Sequence, residues 1–384
     1  MIDVKVISRK EAESLKANEL PSGTAIISFY DPISPRTPKD YHKVNYCGVC
    51  DNVFYVGIHD IDIEILEDYG LTYDTYFPEA AELADRIGYP VLIKAAAGGG
   101  GRGIRVVNSA AELEAQITAA KQESLNFFSD DAVYLEKFIE CPRHIEIQIA
   151  ADKNGNVVHL GERDCSLQRR HQKVLEESPS PVMTDELRAR MGAAAVTAAK
   201  VSNYYNVGTI EFLVDKNNDF YFMEMNTRIQ VEHPVTESVT GIDLVKTQIR
   251  IANGEKLGIT QDDIKLRGHS IECRINAECP EKNFRPCPGT ITALYTPGGP
   301  GVRVDSAVYQ GYTITPYYDS MISKLIVHGN TREEAIKKMS WALSEFIVGG
   351  IDTNIEFQLE LIRNSTFEKG TYDVGFIEKF LEKK

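Results

Sequence analysis

The spacing of hydrophobic and polar residues predicts a chain of mixed α/β (α+β) class. Residues 89–94 form an apolar run that ends in a lysine, and residues 104–107 form a second run, so each indicates a strand. The helical pattern that follows begins at Ser109, and Ser109 and Glu112 have the spacing of a capping box. We therefore expect a strand, a loop, a strand and a helix in this order.

Glycines fill the loop between the two predicted strands, at Gly98, Gly99, Gly100, Gly101 and Gly103. Glycine lets the backbone approach a ligand closely, and successive N–H groups in such a loop bind anions. The chain has no Gly-Lys pair for a Walker A motif, and a strand follows the loop where a dinucleotide-binding fingerprint needs a helix. The loop therefore indicates either a mobile hairpin that closes over phosphates or an ordinary hairpin tip.

Residues 133–150 contain two further strand-like runs, and Glu136 and Lys137 end the first. The second run alternates, with three isoleucines on one face and three polar residues on the other: Ile145, Ile147 and Ile149 against His144, Glu146 and Gln148. The basic segment that follows, ERDCSLQRRHQKVLEESPSP, has the composition of a solvated loop. A helix is expected at about residues 183–203.

Residues 209–234 carry a pattern with chemical consequences. Two apolar runs flank the Asn-Asn pair at 217–218, which tolerates a left-handed turn, so we expect a β-hairpin with Glu211 opposite Glu224. Facing carboxylates repel each other, and a divalent cation removes that repulsion. Asn226 lies on the same face as Glu224 and adds a third oxygen, which suits Mg²⁺ (or Mn²⁺). The alternative is a one-residue shift of register that leaves one acid in solvent.

After this hairpin, Arg228, Gln230 and Glu232 alternate with Ile229 and Val231. The alternation predicts a cation, an amide and a carboxylate on one edge. Such a row beside a nucleotide–metal site can hold a small anion and move its proton.

Composition narrows the class of protein. The 384 residues carry a net charge of −14, with 43% hydrophobic and 26% charged residues, which is ordinary globular material and argues against general nucleic-acid binding. No apolar run approaches the length of a membrane span, and the first residues do not have the pattern of a signal peptide. Seven scattered cysteines favour a reducing compartment, so we expect a cytoplasmic protein.

Several long motifs together resemble biotin carboxylase, the ATP-grasp component of acetyl-CoA carboxylase and of related biotin-dependent carboxylases. They are, in order, GYPVLIKAAAGGGGRGIRVV, EKFIECPRHIEIQI, ERDCSLQRRHQK, EMNTRIQVEHPVTE, IECRINAE and PYYDSMISKL. The resemblance extends from about residue 80 to the C-terminus. It implies an ATP-grasp fold with a mobile glycine-rich lid. The implied domains are a lid subdomain at 81–138, a catalytic subdomain at 139–267 and a biotin carboxylase C-terminal domain at 268–384.

The resemblance also implies roles for individual residues. ATP contacts fall on the five loop glycines and on Lys94, Glu136, Lys137, Ile139, His144, Gln168, His171 and Leu213. The implied magnesium ligands are Glu211, Glu224 and Asn226, in agreement with the hairpin pattern. Bicarbonate falls on Lys173, Arg228, Gln230, Val231 and Glu232, with Glu232 as the base. Arg303 stabilises the enolate of biotin, so the implied catalytic residues are Glu232, Arg228, Arg303 and Lys173.

The implied reaction is carboxylation of biotin with ATP and bicarbonate, through carboxyphosphate. The sequence has no Met-Lys-Met, so biotin is expected on a separate biotin carboxyl carrier protein, with carboxyltransferase subunits as further partners. Neither nucleic acid nor a membrane is an expected partner. Another ATP-grasp ligase, such as a carbamoyl-phosphate synthetase, is disfavoured by the residues around Arg303 and by the C-terminal domain.

Residues 1–80 depart from the family, which normally opens with an α/β domain that carries the dimer contacts and part of the biotin pocket. Here the runs VKVIS, GTAIISFYDP and NVFYVGIHDIDIEIL indicate strands, and DYGLTYDTYFPEAAELADRI indicates a link into a helix. The segment resembles the opening of dual-specificity-phosphatase-like proteins, without their Cys/Arg signature. An alternative function follows: a chimera that binds ATP or carboxylase partners with impaired turnover. Homodimer formation stays open.

Overall fold

The computed structural model describes residues 46–50, 53–57, 76–95 and 104–383. The chain divides into two compact units, residues 1–140 and residues 141–384. None of the helices in the described part of the chain is both long and apolar enough to cross a membrane.

The first unit contains a three-stranded antiparallel sheet with helices packed against it. Its elements are β1 (Tyr46–Cys50), β2 (Val53–Gly57), α1 (Tyr76–Ile87), β3 (Val91–Ala95), β4 (Ile104–Val107), α2 (Ala110–Phe128) and β5 (Val133–Lys137). The strand order is β4-β3-β5, while β1 and β2 form a separate pair. Val91 and Ile93 of β3 enter a core with Leu113 and Ile117 of α2. The predicted order of strand, strand and helix is confirmed.

Two sequence predictions concern the segment between β3 and α2. The glycine run at 98–103, with its expected lid, lies outside the described residues, as do the two strands expected before residue 46. Helix α2 starts after Ser109 as predicted, but the predicted capping box is wrong. The Ser109 side chain makes no cap hydrogen bond, and Glu112 Oε2 accepts from the N–H of Asn108 at 3.3 Å, one residue further back.

The second unit has fourteen strands and seven α-helices among its described residues. The strands are β6 (Arg143–Ala151), β7 (Val157–Arg169), β8 (Gln172–Ser178), β9 (Asn206–Val214), β10 (Phe220–Asn226), β11 (His269–Asn276), β12 (Glu278–Cys279), β13 (Arg285–Pro286), β14 (Gly289–Thr290), β15 (Ala293–Tyr295), β16 (Val302–Ser306), β17 (Thr313–Ile314), β18 (Met321–Gly329) and β19 (Ile347–Gly349). The helices are α3 (Asp185–Val201), α4 (His233–Thr240), α5 (Leu244–Ala252), α6 (Arg332–Glu345), α7 (Ile355–Ile362), α8 (Ser365–Glu368) and α9 (Phe376–Leu381). Two 3₁₀ helices span Gln261–Asp263 and Pro280–Lys282.

Eight of these strands form one antiparallel sheet, in the order β10-β9-β6-β7-β8-β11-β18-β16. The domain boundary expected at 267–268 falls inside this sheet, because β11 pairs with β8. The alternation predicted for β6 is confirmed. Its isoleucines pack with Leu187 and Met191 of α3, which leaves the polar residues of β6 on the opposite face. That face carries the candidate site.

The basic segment expected as a solvated loop is a buried hairpin, so that prediction is wrong. Strands β7 and β8 pair, and the hairpin tip turns at Arg170 and His171, whose φ angles are 50° and 62°. Arg163 and Asp164 are 0% and 1% exposed, and each lies in an ion pair that offsets the cost of burying its charge. Composition missed this strand because it counts polar residues without showing their partners.

The β9–β10 hairpin places Glu211 opposite Glu224, as predicted, but by a different route. The turn is centred on Asn217 rather than between residues 217 and 218. The register then shifts by one at Met223, which forms a β-bulge before Glu224. The bulge offsets the extra turn residue, so the two acids still face each other.

Candidate active site

Three glutamates and an arginine lie in one row across four neighbouring strands. Glu224 of β10 pairs with Glu211 of β9, Glu211 pairs with Glu146 of β6, and Glu146 pairs with Arg163 of β7. Glu146 and Glu211 are 0% and 4% exposed, whereas Glu224 is exposed. The row runs from the edge of the sheet to its interior and needs more positive charge than Arg163 alone supplies.

Lys173 of β8 supplies that charge. Its Nζ lies 2.5 Å from Glu146 Oε2, 2.9 Å from Glu211 Oε1 and 2.6 Å from Glu232 Oε1. Burial alone would lower the pKa of Lys173, but Glu146 and its neighbours raise it above the ordinary value. Burial would likewise raise the pKa of Glu146, yet Lys173 and Arg163 hold it at about 2. The site is therefore a network of fixed charges in a protected environment.

Arg163 holds the network together from below. It is fully buried, and it donates to Glu146, Gln148, Thr209, Gln230 and Thr236 at 2.6 to 3.0 Å. Sequence reasoning assigned it no role. The available signal was a charged residue within a strand-length segment, but its importance depends on the pairing of β7 with β6, which the sequence does not display.

Glu232 immediately precedes helix α4 and is 2% exposed. Its Oε1 accepts from Lys173, and its Oε2 accepts from Arg274 Nη2 at 2.9 Å. The N-terminus of a helix also favours negative charge. The carboxylate is thus oriented through both of its oxygens. Arg274 was a second residue that sequence reasoning missed, although it alternates with apolar residues in IECRINAE.

The single edge expected from Arg228, Gln230 and Glu232 forms only in part. Strand alternation stops at the end of β10, and a helix begins after Glu232. Gln230 is buried and donates from Nε2 to Glu211 Oε1 at 2.7 Å. Arg228 is exposed, and its Nη1 donates to the carbonyl of Ile229 at 3.3 Å. The amide and the carboxylate therefore join the network, and the cation at 228 does not.

Val231 and Arg303 lie at the border of this network. The carbonyl of Val231 accepts from Lys324 Nζ at 2.7 Å. Arg303 of β16 donates from Nε to Asp305 at 2.7 Å and from Nη1 to Glu237 at 2.7 Å. Because Glu237 lies on α4, Arg303 is tied to the helix that starts beside the network.

The expected nucleotide residues of the first unit are Lys94, Glu136, Lys137 and Ile139. Lys94 forms an ion pair of 2.5 Å with Glu136 on the adjacent strand. Lys137 Nζ donates to the carbonyl of Gly88 at 2.7 Å, and Ile139 is partly buried.

The expected nucleotide residues of the second unit are His144, Gln168, His171 and Leu213. Gln168 Nε2 lies 3.0 Å from His144 Nδ1, and Leu213 is the cross-strand neighbour of His144. His171 is exposed at the tip of the β7–β8 hairpin. The structure thus brings three of these four residues together and leaves His171 apart at the tip.

The expected metal ligands offer oxygen atoms. Glu224 Oε1 accepts from Asn226 Nδ2 at 3.2 Å, and Glu211 Oε2 lies 3.1 Å from His144 Nε2. Burial would raise the pKa of Glu211, but His144 and Lys173 hold it well below the ordinary value. Ligand atoms of His144, Glu146 and Glu211 all lie within 4.8 Å of one another. Carboxylate and amide oxygens are the donors that Mg²⁺ prefers, so the expected ligands Glu211, Glu224 and Asn226 fit the ion by donor type.

Two family models match the chain. The model described as carbamoyl-phosphate synthase L chain, ATP binding domain, covers residues 52–260, and the biotin carboxylase C-terminal domain covers residues 272–379. The first match begins ahead of residue 80, where the motif resemblance was placed. Together the fold and the site define an ATP-grasp protein with a carboxylase C-terminal domain.

The chain belongs to the biotin carboxylase family. It is 57% identical over 303 residues to biotin carboxylase 1 of Bacillus subtilis, and the matched region covers 79% of this chain and 67% of that protein. It is 58% identical over 302 residues to a pyruvate carboxylase subunit of Methanothermobacter thermautotrophicus, which covers 79% of this chain and 61% of that protein. The chain thus spans between 61% and 67% of the length of these two relatives.

Solved structures agree with this assignment. The biotin carboxylase domain dimer of the Hydrogenobacter thermophilus 2-oxoglutarate carboxylase, in complex with MgADP, ADP and bicarbonate, has a TM-score of 0.74 at 51% identity. That match covers 79% of this chain and 67% of the other. A biotin carboxylase complex from Campylobacter jejuni also has a TM-score of 0.74, at 50% identity over 78% of this chain and 67% of the other.

Proposed function

We propose that this chain carboxylates biotin with ATP and bicarbonate. The observation that carries the proposal is the clamp of Lys173 and Arg274 on the two oxygens of Glu232, beside the buried carboxylate row. Family membership and the bicarbonate complex of the Hydrogenobacter domain support it. Bicarbonate attacks the γ-phosphate of ATP to give carboxyphosphate and ADP. Carboxyphosphate then releases carbon dioxide and phosphate, and the ureido nitrogen of biotin attacks the carbon dioxide.

Bicarbonate is proposed to bind among Lys173, Arg228, Gln230, Val231 and Glu232. The cationic groups stabilise the anion, and Gln230 and the main chain at residue 231 add hydrogen bonds. Glu232 takes the proton of bicarbonate as general base, since a fixed carboxylate beside a bound acid performs this step well. Exposed Arg228 is proposed to turn toward the anion when it binds.

ATP and magnesium are proposed to use the residues that the family resemblance assigns. Glu211, Glu224 and Asn226 hold Mg²⁺, which when bound neutralises phosphate charge during transfer. Lys94 and the glycine loop contact phosphates, and the remaining nucleotide residues contact the rest of ATP. Arg303 stabilises the biotin enolate, because a guanidinium matches a developing anion.

The test of the function is the substitution Glu232→Gln. It keeps the size of the side chain and removes the proton acceptor, so bicarbonate-dependent ADP release should fall by about a hundredfold or more. Calorimetry should show little change in Mg-ATP affinity. Glu255→Gln, at a half-exposed surface position, is the matched control and should keep full activity. ADP release that ignores both bicarbonate and biotin in the unsubstituted chain would refute the function.

We further propose that the biotin is held on a biotin carboxyl carrier protein, in the cytoplasm, and that a carboxyltransferase passes the carboxyl group to acetyl-CoA. The Methanothermobacter relative, which belongs to a pyruvate carboxylase, supports a second candidate acceptor, pyruvate. Reconstitution with the carrier and carboxyltransferase components of each system separates the two. Carboxyl transfer to acetyl-CoA alone supports the first assignment, and transfer to pyruvate alone supports the second.

A further inference from the structure

Two buried carboxyl groups face each other next to the proposed active site. Glu176 of β8 and Glu272 of β11 are cross-strand neighbours, and both are 0% exposed. Glu176 Oε2 and both carboxyl oxygens of Glu272 have no hydrogen-bond partner within the described residues. Two facing buried carboxyl groups that leave three of their four oxygens without a partner are too costly to be ionised together, so this pair must retain a proton.

Arg274 connects this pair to the proposed base. Its Nε donates to Glu176 Oε1 at 2.7 Å, and its Nη2 donates to Glu232 Oε2 at 2.9 Å. A guanidinium is planar and always charged, so one rigid group serves both carboxylates. Any change in the charge of Glu176 therefore changes how strongly the Arg274 guanidinium stabilises the ionised form of Glu232.

We propose that Glu176 and Glu272 retain one proton between them at neutral pH, and that Arg274 couples the charge of this pair to Glu232. Glu176 and Glu272 act on the base through Arg274 and are positioning residues, and their kinetic effect rests on the proposed function. The retained proton does not rest on the proposed function, because it depends only on the buried pair.

The surroundings of the pair agree with this inference. Burial raises the pKa of Glu176 to about 7, although Arg274 opposes the effect. Burial, with Glu176 opposite, raises the pKa of Glu272 well above its ordinary value. The other charged groups that act on the pair are Lys173 on β8, Glu232 before α4 and Lys324 on β18.

The direction of the coupling follows from these charges. When Glu176 is ionised, it takes part of the Arg274 charge, and Glu232 becomes a stronger proton acceptor. When Glu176 is protonated, Arg274 acts on Glu232 alone, and the base is weaker. Activity should therefore rise with pH as Glu176 ionises.

Infrared titration of the whole chain tests the retained proton without any assay of activity. At about pH 8 the carbonyl stretch of a protonated carboxyl should be present in the unsubstituted chain, remain in Glu176→Gln and disappear in Glu272→Gln. Glu177→Gln is the matched control, because Glu177 is equally buried on the same strand but ionised against His269 and Arg332. Absence of the band from the unsubstituted chain, or its survival in Glu272→Gln, overturns the inference.

The coupling has its own readout. Glu232→Gln removes a negative charge that opposes ionisation of Glu176, so the Glu176 band should titrate at least about half a pH unit lower. An unchanged titration overturns the coupling. In kinetics, Glu176→Gln should lower kcat/KM for bicarbonate about tenfold near pH 8 and flatten the rise through pH 7, whereas Glu177→Gln should keep the profile. A chain without bicarbonate-dependent activity would refute the proposed function while the infrared results still decide this inference.

Discussion

Arg163 places five hydrogen bonds at the centre of the second unit, with no part of its side chain in solvent. Its partners lie on β6, on β9, on α4 and in the segment before α4. The guanidinium has a fixed arrangement of donors, so it sets the relative position of all of these groups at once. A lysine at this position has one donor centre and does not reproduce that geometry.

Arg163→Met should destabilise the protein by about 3–5 kcal/mol, because it leaves the buried Glu146 carboxylate without half of its compensating charge. Urea unfolding with an unchanged m-value measures the effect. Arg250→Met, at a position where the side chain is 58% exposed, should change stability by no more than about 0.5 kcal/mol. Equal effects of the two substitutions would show that the buried network contributes nothing special.

The free energy of unfolding of Glu272→Gln should increase relative to that of the unsubstituted protein as pH rises. The folded state keeps the Glu272 proton, whereas the unfolded chain releases it above the ordinary pKa of 4.5. Unfolding is therefore increasingly favoured between that value and the raised folded pKa, by about 1.4 kcal/mol per pH unit. The glutamine removes this slope. Unfolding free energies of both proteins at pH 5 and pH 8 should diverge, and a constant difference would contradict the raised pKa.

At the scale of elements, the sequence predicted the type of each helix and strand, from its hydrophobic periodicity, better than it predicted which strands pair. The alternation of β6, the helix α3 and the pairing of Glu211 with Glu224 were all expected. The β7–β8 hairpin was missed because its polar side chains are buried against groups distant in sequence. The row at 228–232 was misjudged because β10 ends at Asn226, and the residues after it lead into helix α4 instead of continuing the strand. The position of the turn and the β-bulge in the β9–β10 hairpin could not be predicted from the residue pattern. Their effects on the strand register cancel, so the pairing of Glu211 with Glu224 is the same with or without them.

The turn of the β9–β10 hairpin offers a matched pair of substitutions. Asn218 has a φ of 63°, in the left-handed region that asparagine and glycine tolerate. Asn218→Ala should cost about 1 kcal/mol, while Asn218→Gly should be close to neutral. Thermal or urea unfolding compares them. If alanine were as stable as glycine, the turn would have to adopt another conformation.

On the scale of the whole molecule, the chain carries the family fold over roughly four-fifths of its length, and the relatives are longer than the matched part. The assignment of the family rests on both units, since the ATP-binding match begins at residue 52 and the C-terminal match ends at residue 379.

Replacement of residues 1–80 by the leading segment of the Bacillus subtilis relative should raise biotin carboxylation more than Mg-ATP affinity. The leading domain that is usual in the family carries part of the biotin pocket, and poor positioning of a reactant costs up to about a hundredfold in rate. Steady-state kinetics and calorimetry of the two chains provide the comparison. Equal rates would mean that residues 1–80 already serve as a working substitute.

Helix α4 has only eight residues, too few to persist by itself in water. It is nevertheless tied to the sheet at three successive places, through Glu232, through Thr236 and through Glu237. Its amide protons should therefore exchange with solvent only when the surrounding strands open as well. The contacts that hold the proposed base in place should therefore last as long as the strands stay paired. Fraying of the short helix alone should not move the Glu232 carboxylate.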